Sequence, residues 1–193
     1  LTLIATDMEL SVIMTVNVKG EEDGRIAIPA KRLMDTIRSL DDKSVPNFVA
    51  DTTTNKITIT TENGHYGLTG ESAKEFPPTP QFKRTDEIKM EASTIKRIIH
   101  RTAFAVSTDE LRPAMMGVLL QPKGGELRAV ATDGHRLVRL LHKLSKPAGF
   151  KRDIIIPAKA LQIVFKSVET GDIGIAMSDT HIQFEFDSTT LTS

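Results

Sequence analysis

Residues 127–138 read LRAVATDGHRLV, and residues 1–10, LTLIATDMEL, are a weaker copy of them. A second echo follows each copy: IAIPAKRLMDTI at 26–37 answers IIIPAKALQIVF at 154–165. The offsets nearly agree. Ala5-Thr6-Asp7 and Ala131-Thr132-Asp133 stand 126 positions apart, and Ile28-Pro29-Ala30-Lys31 and Ile156-Pro157-Ala158-Lys159 stand 128 apart. A third, looser echo sets ITITTENGHYGL (57–68) against IGIAMSDTHIQF (173–184). A repeat of roughly 120 residues is too long for a solenoid unit and suits a domain. The chain therefore reads as two copies of one module, ordered strand, turn, strand, helix, strand pair. Shared residues are scaffold. Residues that differ between the copies are where a function peculiar to one of them belongs.

The 193 residues have room for one or two ordinary cores. With 5% aromatic residues, one Tyr and no Trp, those cores are aliphatic. The absence of Cys excludes disulfides, thiolate metal sites and a cysteine nucleophile. No apolar run approaches the roughly 20 residues of a membrane span, and no signal peptide is apparent. Both ends read as cut, as in a fragment of a longer protein. The formal net charge is zero, but it is segregated. Three segments, 29–40, 93–105 and 157–168, read as helices. They hold Lys31, Arg32, Arg38, Lys96, Arg97, Arg101, Lys159 and Lys166 against Asp35 alone. That balance of +7 leaves −7 on the remainder. Such segregation suits one face for a polyanion and another that repels it; the alternative is three ordinary solvated helix faces.

Along the chain, 1–18 reads as two strands joined at Thr6-Asp7, and Pro29 stands at a first helical position with Leu33, Met34, Ile37 and Leu40 inward. Strands at 45–49 and 56–61 lead to a turn at Asn63-Gly64. Residues 75–87, with prolines at 77, 78 and 80, form the best linker. Ser93 is a candidate N-cap for a helix whose apolar stripe is Ile95, Ile98, Ile99, Thr102, Ala103 and Val106. The loop 107–113 precedes a strand Met115–Gln121, on which one of Met115 and Met116 faces away from the buried side. A loop around Pro147 spans 145–152, and the third helix turns Leu161, Val164, Phe165 and Val168 inward. The last hairpin pairs 173–178 with 181–187. The fold class is α+β, with strands outnumbering helices.

Only Asp133-Gly134-His135-Arg136 suggests chemistry. An Asp two residues from a His can ligate a metal or form an acid–base pair. A metal-dependent phosphoesterase using Asp7, Asp133 and His135 is thus one reading. Against it, Asp7 fills the matching place in a copy that has no His, so this Asp reads as satisfying turn backbone. Gly134-His135-Arg136, present in the second copy alone, is a candidate surface contact. Lys31 and Lys159 each lie in the first turn of a helix, where the macrodipole disfavours a cation. Either an outside anion such as phosphate compensates, or both are tolerated surface lysines. His65 and His181, just past hairpin turns, read as structural.

ATDGHRL followed by IPAK at this spacing, after a helix and LRPAMMGVLL, resembles the bacterial DNA polymerase III β subunit, the sliding-clamp family, over essentially the whole chain. The resemblance implies repeated clamp domains with basic helices lining a channel and antiparallel sheets outside. It makes 1–80 the later part of a first domain and 81–193 most of a second, with a third domain absent from the chain. It implies a non-catalytic, cytoplasmic processivity factor with no cofactor and no metal. In the family two three-domain subunits close a ring round duplex DNA, held without regard to sequence. For DNA phosphates it implies Lys31, Arg32 and Lys159 on the helices and Arg112 on the loop, where Pro113-Ala114 replace aromatic residues common in the family. For a peptide groove it implies Met115, Thr132, Gly134, His135, Arg136 and Leu137. That groove receives linear motifs of the polymerase III catalytic subunit, the clamp loader and repair polymerases, and its other wall belongs to the third domain.

Overall fold

The computed structural model describes residues 1–144 and 152–193, so the loop read around Pro147 lies, Arg152 apart, outside the described residues. In chain order the elements are β1 (Thr2–Thr6), β2 (Ser11–Thr15), β3 (Ile26–Ala27), α1 (Ala30–Ser39), β4 (Asn47–Asp51), β5 (Lys56–Thr61), β6 (Gly64–Thr69), β7 (Glu71–Ser72), β8 (Asp86–Glu91), α2 (Ala92–Thr102), β9 (Gly117–Lys123), β10 (Glu126–Thr132), β11 (Leu137–Lys143), β12 (Ile154–Pro157), α3 (Ala158–Ser167), β13 (Asp172–Met177), β14 (Ile182–Phe186) and β15 (Thr189–Thr192). Single 3-10 turns lie at Ala73–Glu75, Ala103–Ala105 and Pro113–Met115. Among the described residues every strand pairing is antiparallel, as the α+β reading expects. Among the described residues no helix is long and apolar enough to cross a membrane.

Two compact units form, cut differently from the halves 1–80 and 81–193. One comprises Leu1 and Asn17–Thr79, the other Thr2–Val16 and Pro80–Ser193. The reason is a hydrogen-bonded seam. β2 pairs with β15, setting Val12 opposite Leu191, so the β1–β2 hairpin joins the sheet β1-β2-β15-β14-β13-β8. A lone hairpin is marginal in water, and a wider sheet stabilises it.

In the smaller unit β4, β5 and β6 form a meander and β3 pairs with β7. Alternation along β5 buries Ile57 and Ile59. α1 buries nothing fully. Of its predicted inward residues Leu33 and Leu40 are half-buried, while Met34 and Ile37 stay 46% and 40% exposed. Its main contact within the unit is β6, so only part of the stripe is covered.

The larger unit carries the main core. Its second sheet runs β11-β10-β9-β12. β10 turns Leu127, Ala129 and Ala131 inward, and α2 buries Ile95, Ile98 and Ile99. At about 1.5–3 kcal/mol for each large aliphatic chain removed from water, this stripe fixes which face α2 presents. Thr102 lies in the same stripe at no polar penalty, since its Oγ1 donates to the Ile98 carbonyl at 2.7 Å. α3 buries Ala160, Leu161 and Val164.

Several local expectations need correction. Phe165 points outward, 40% exposed, because the inward side of its turn is filled by Leu161, Val164 and Val168. Ser93 lies inside α2, where its hydroxyl donates to Glu91, the residue at the N-cap. Pro29 and Pro157 are N-caps, one position ahead of the first helical residue. Met115 ends the 3-10 turn that Pro113 opens, so the strand starts at Gly117. β15 went unread, although Asp187, at φ 49, makes a two-residue turn with Ser188. The third echo is off by one strand. β4, β5 and β6 follow α1 as β13, β14 and β15 follow α3. The buried pairs Ile57/Ile182 and Ile59/Phe184 then give an offset of 125, near those of the other echoes.

Gly117 fits a tight approach between β9 and β12. A Cβ there would lie 2.5 Å from the Ile156 carbonyl oxygen. Gly117→Ala is expected to lower stability by roughly 1–3 kcal/mol in denaturant unfolding. Gly67→Ala, where a Cβ meets nothing within 4 Å, is expected to be neutral or slightly stabilising.

Candidate functional site

The two Ala-Thr-Asp segments build the same turn. In the second copy Asp133 Oδ1 accepts from the backbone N–H groups of His135 and Arg136 at 3.0 and 2.9 Å. Thr132 Oγ1 donates to the Arg136 carbonyl at 2.7 Å and accepts from Gly134 N–H at 3.1 Å. In the first copy Asp7 Oδ1 accepts from Glu9 and Leu10 at 3.1 and 2.9 Å. Thr6 Oγ1 donates to the Leu10 carbonyl at 2.8 Å and accepts from Met8 N–H at 3.1 Å. The geometry needs a left-handed residue after the Asp, and Met8 (φ 76) and Gly134 (φ 89) supply it. Turn bonding by this Asp is what the sequence suggested.

The carboxylates are otherwise engaged too. Asp133 Oδ2 accepts from Arg136 Nε at 2.9 Å, and Asp7 Oδ2 lies 2.7 Å from Lys159 Nζ. Asp133 is held at about 2, below its usual 3.8, first by the Arg136 and His135 amides and then by the Arg136 side chain. Asp7 is also held at about 2, first by Lys159 and then by the Leu10 amide. Among the described residues no group of three or more His, Asp and Glu could hold a metal ion, and nothing supports the phosphoesterase reading.

Lys159 differs from expectation. Its ammonium bridges Asp7 and Glu9 at 2.7 and 2.8 Å, and the two carboxylates raise its pKa. The anion inferred from the dipole argument is thus internal for Lys159. Lys31 and Arg32 are exposed in the first turn of α1, and neither forms an ion pair among the described residues. On the other helices Arg97 donates to His142 Nδ1 at 2.8 Å. Burial, then the Arg97 charge, lowers the His142 pKa, which suits a neutral imidazole accepting from a cation.

The sequence-predicted groove residues gather in part. Arg112 lies over the turn, its Nη1 3.5 Å from where a Gly134 Cβ would be, and its Nε is 3.3 Å from Asp109. Leu137 opens β11 opposite Thr132 and is 66% exposed. His135 and Arg136 are exposed, and Met115 is half-buried. Met115 bonds locally, accepting from Ser107 N–H and donating to the Arg112 carbonyl. Beyond Leu137 the outer row of β11 is Arg139, Leu141 and Lys143. Sequence reasoning missed Phe104, 56% exposed, whose ring centroid is 5.5 Å from the Arg136 guanidinium carbon. The signal existed: Phe104 lies off the apolar stripe of α2.

Because both aspartates are depressed, they favour the folded state above pH 3.8, and that contribution is lost as pH falls through about 2. In the Asp7→Asn, Asp133→Asn variant the unfolding midpoint is expected below wild type at neutral pH. The two curves should converge as the pH approaches 2. Parallel curves in a pH series of thermal melts would show that neither carboxylate charge contributes.

Residues 1–80 match the family described as DNA polymerase III beta subunit, N-terminal domain, and residues 89–193 match its central domain. A Beta sliding clamp of Chlamydia trachomatis is 32% identical over 192 residues, covering 99% of this chain and 46% of that protein. Its counterpart in Pseudomonas aeruginosa is 29% identical, covering 100% and 53%. A DnaN sliding clamp from Bartonella birtlesii, solved bound to griselimycin, superposes with a TM-score of 0.91 at 32% identity, covering 100% of this chain and 53% of that one. The chain spans about half the length of the curated relatives it matches. With both domain matches in chain order and the fold shared throughout, the chain belongs to the DNA polymerase III β subunit, or sliding-clamp, family.

Proposed function

We propose that this chain supplies two domains of a DNA sliding clamp that tethers a replicative polymerase to duplex DNA. Residues 1–80 belong to the first clamp domain and 81–193 to the middle one. The observation that carries this reading is the charge on the helices. α1, α2 and α3 hold eight cations and one acid in a chain of zero net charge. Phosphates are the partner such helices suit, and base sequence is not read. The protein contributes tethering and no covalent chemistry. Asp7 and Asp133, which a phosphoesterase would need, already hold backbone amides and a cation each.

In this reading Lys31 and Arg32 meet phosphate directly, and Arg112 does so in competition with Asp109. Lys159 does so only by leaving Asp7 and Glu9, which makes its contribution conditional. Met115, Thr132, Gly134, His135, Arg136 and Leu137 form one wall of a groove for linear motifs of the polymerase III catalytic subunit, the clamp loader and repair polymerases. The exposed Leu137 is its apolar anchor. The whole protein acts in the cytoplasm as a homodimeric ring around DNA, with a third domain in each subunit. Neither a metal nor an organic cofactor enters the mechanism.

Duplex binding is measured by fluorescence anisotropy across a salt series. Lys31→Ala and Arg32→Ala are each expected to lower the log–log salt slope by about one unit. The Asp7→Asn, Glu9→Gln variant is expected to raise it by about one, as Lys159 is freed. An unchanged slope in the Lys31→Ala, Arg32→Ala double variant would place the DNA on another surface.

A peptide carrying a clamp-binding motif is expected to bind this chain weakly, through one groove wall. Leu137→Ala is expected to weaken it roughly tenfold, the loss of one apolar anchor. Equal affinity in wild type and Leu137→Ala, read by calorimetry, would remove β11 from the groove.

A further inference from the structure

α2 and α3 enclose a cleft of about 340 Å³ that duplex binding does not explain. It lies within the larger unit and is lined by Ile99, Ala103, Phe104 and Phe165, with His100 and Lys166. Two of these side chains are aromatic and exposed, Phe104 at 56% and Phe165 at 40%. Each ring carries a cation. Lys96 Nζ lies 5.9 Å from the Phe165 centroid, and the Arg136 guanidinium lies over Phe104. His100 meets Phe165 edge-on, with centroids 6.5 Å apart and planes at 87°. Neither α2 nor α3 contains an acidic residue. Among the described residues no carboxylate pairs with Lys96, Arg97, Arg101 or Lys166.

Helices that need only touch a duplex need only cations. In a duplex the faces of the bases are stacked on one another and are not open to a side chain from the groove or backbone side. An unpaired base does offer a face, and exposed aromatic side chains among unopposed cations are what single strands bind. We propose that the α2–α3 cleft is a stacking site for an unpaired nucleotide. Phe165 and Phe104 are its platforms, and Lys166, Lys96 and Arg101 serve the adjoining phosphates. The proposal rests on the reading of α2 and α3 as DNA-facing. It adds a preference for single strands, or for the junction where a strand leaves a duplex. An acidic peptide with an apolar side chain is the competing occupant. The cations and the rings would both suit it, but a single strand repeats the pairing of one flat ring with one phosphate, which is how the cleft sets rings beside cations.

The test compares three fluorescent probes on the 193-residue chain: oligo-dT, an abasic strand of the same length, and a blunt duplex. Oligo-dT is expected to bind more tightly than the abasic strand, which has the same charge and no bases. Phe165→Ala is expected to weaken oligo-dT by roughly tenfold or more, leaving the duplex and the abasic strand within about twofold. Phe104→Ala should act in the same direction. Phe165→Leu keeps the apolar bulk and loses the ring. It should behave like Phe165→Ala, which separates stacking from packing. Equal oligo-dT binding by wild type, Phe165→Ala and Phe104→Ala overturns the proposal. So does equal binding of oligo-dT and the abasic strand. If duplex binding survives those outcomes, the clamp reading stands and only the stacking site falls. If no probe binds at any salt concentration, both fall.

Discussion

At the tip of each long hairpin two backbone amides face one carboxylate oxygen. Asp7 and Asp133 each take both, and the Thr before each closes the ring from the other side. Each of these bonds replaces one to water and so adds only about 1 kcal/mol, but together they hold the reversal in one geometry. The turn sets the register of β1 on β2 and of β10 on β11, and a slip of one residue would exchange the faces of the strands. Leu127, Ala129 and Ala131 would then leave the core, and α2 would lose the surface on which Ile95, Ile98 and Ile99 pack. The left-handed residue is the point of freedom. The second copy uses Gly134, leaving room for Arg112 beside it. The first uses Met8 and tolerates the strain of a side chain there.

Once the turn is fixed, charge is distributed round it by proximity rather than by helix type. Lys31 and Lys159 occupy equivalent positions at helix starts. The first copy's own turn supplies Asp7 and Glu9 to Lys159. At the equivalent turn of the second copy the residue matching Glu9 is His135, and Asp133 is paired with Arg136. One sequence motif therefore yields a neutralised lysine at one helix, whereas Lys31 at the other is exposed. Surface ion pairs of this kind contribute little to stability, but they decide which cations can meet an external anion.

Most of the architecture was legible because its signals are local. The three helices, the Thr-Asp turns and the alternating strands each announce themselves within about ten residues, through periodicity and turn chemistry. What stayed hidden depends on residues far apart in sequence. Phe165 is the local exception: its neighbours Leu161, Val164 and Val168 fill the inward side of the helix, and which of four apolar residues is left outside is set by what packs on them. Nothing near Lys159 names Glu9, 150 positions away. The third echo slipped by one strand because short Ile/Thr strands resemble one another; only order after the helix restores it. At the candidate groove, 132–137 was legible as the stretch where the copies diverge. That Phe104 faces outward was legible from its place off the apolar stripe, but not its contact with Arg136, which joins a helix end to a distant turn.

The β1–β2 hairpin lies in the compact unit of the following copy, hydrogen-bonded to that copy's last strand. The unit that repeats in sequence and the unit that folds are therefore out of phase, since Thr2–Val16 folds with Pro80–Ser193. A duplication of the whole block would keep the hairpin together with the strand edge that receives it. Shuffling a single copy into another gene would not. It would carry its hairpin away from the sheet that needs it and leave β15 with a bare edge, prone to pairing with other chains. Interleaving of this sort makes neighbouring copies hard to separate by recombination, and so favours their inheritance as a block.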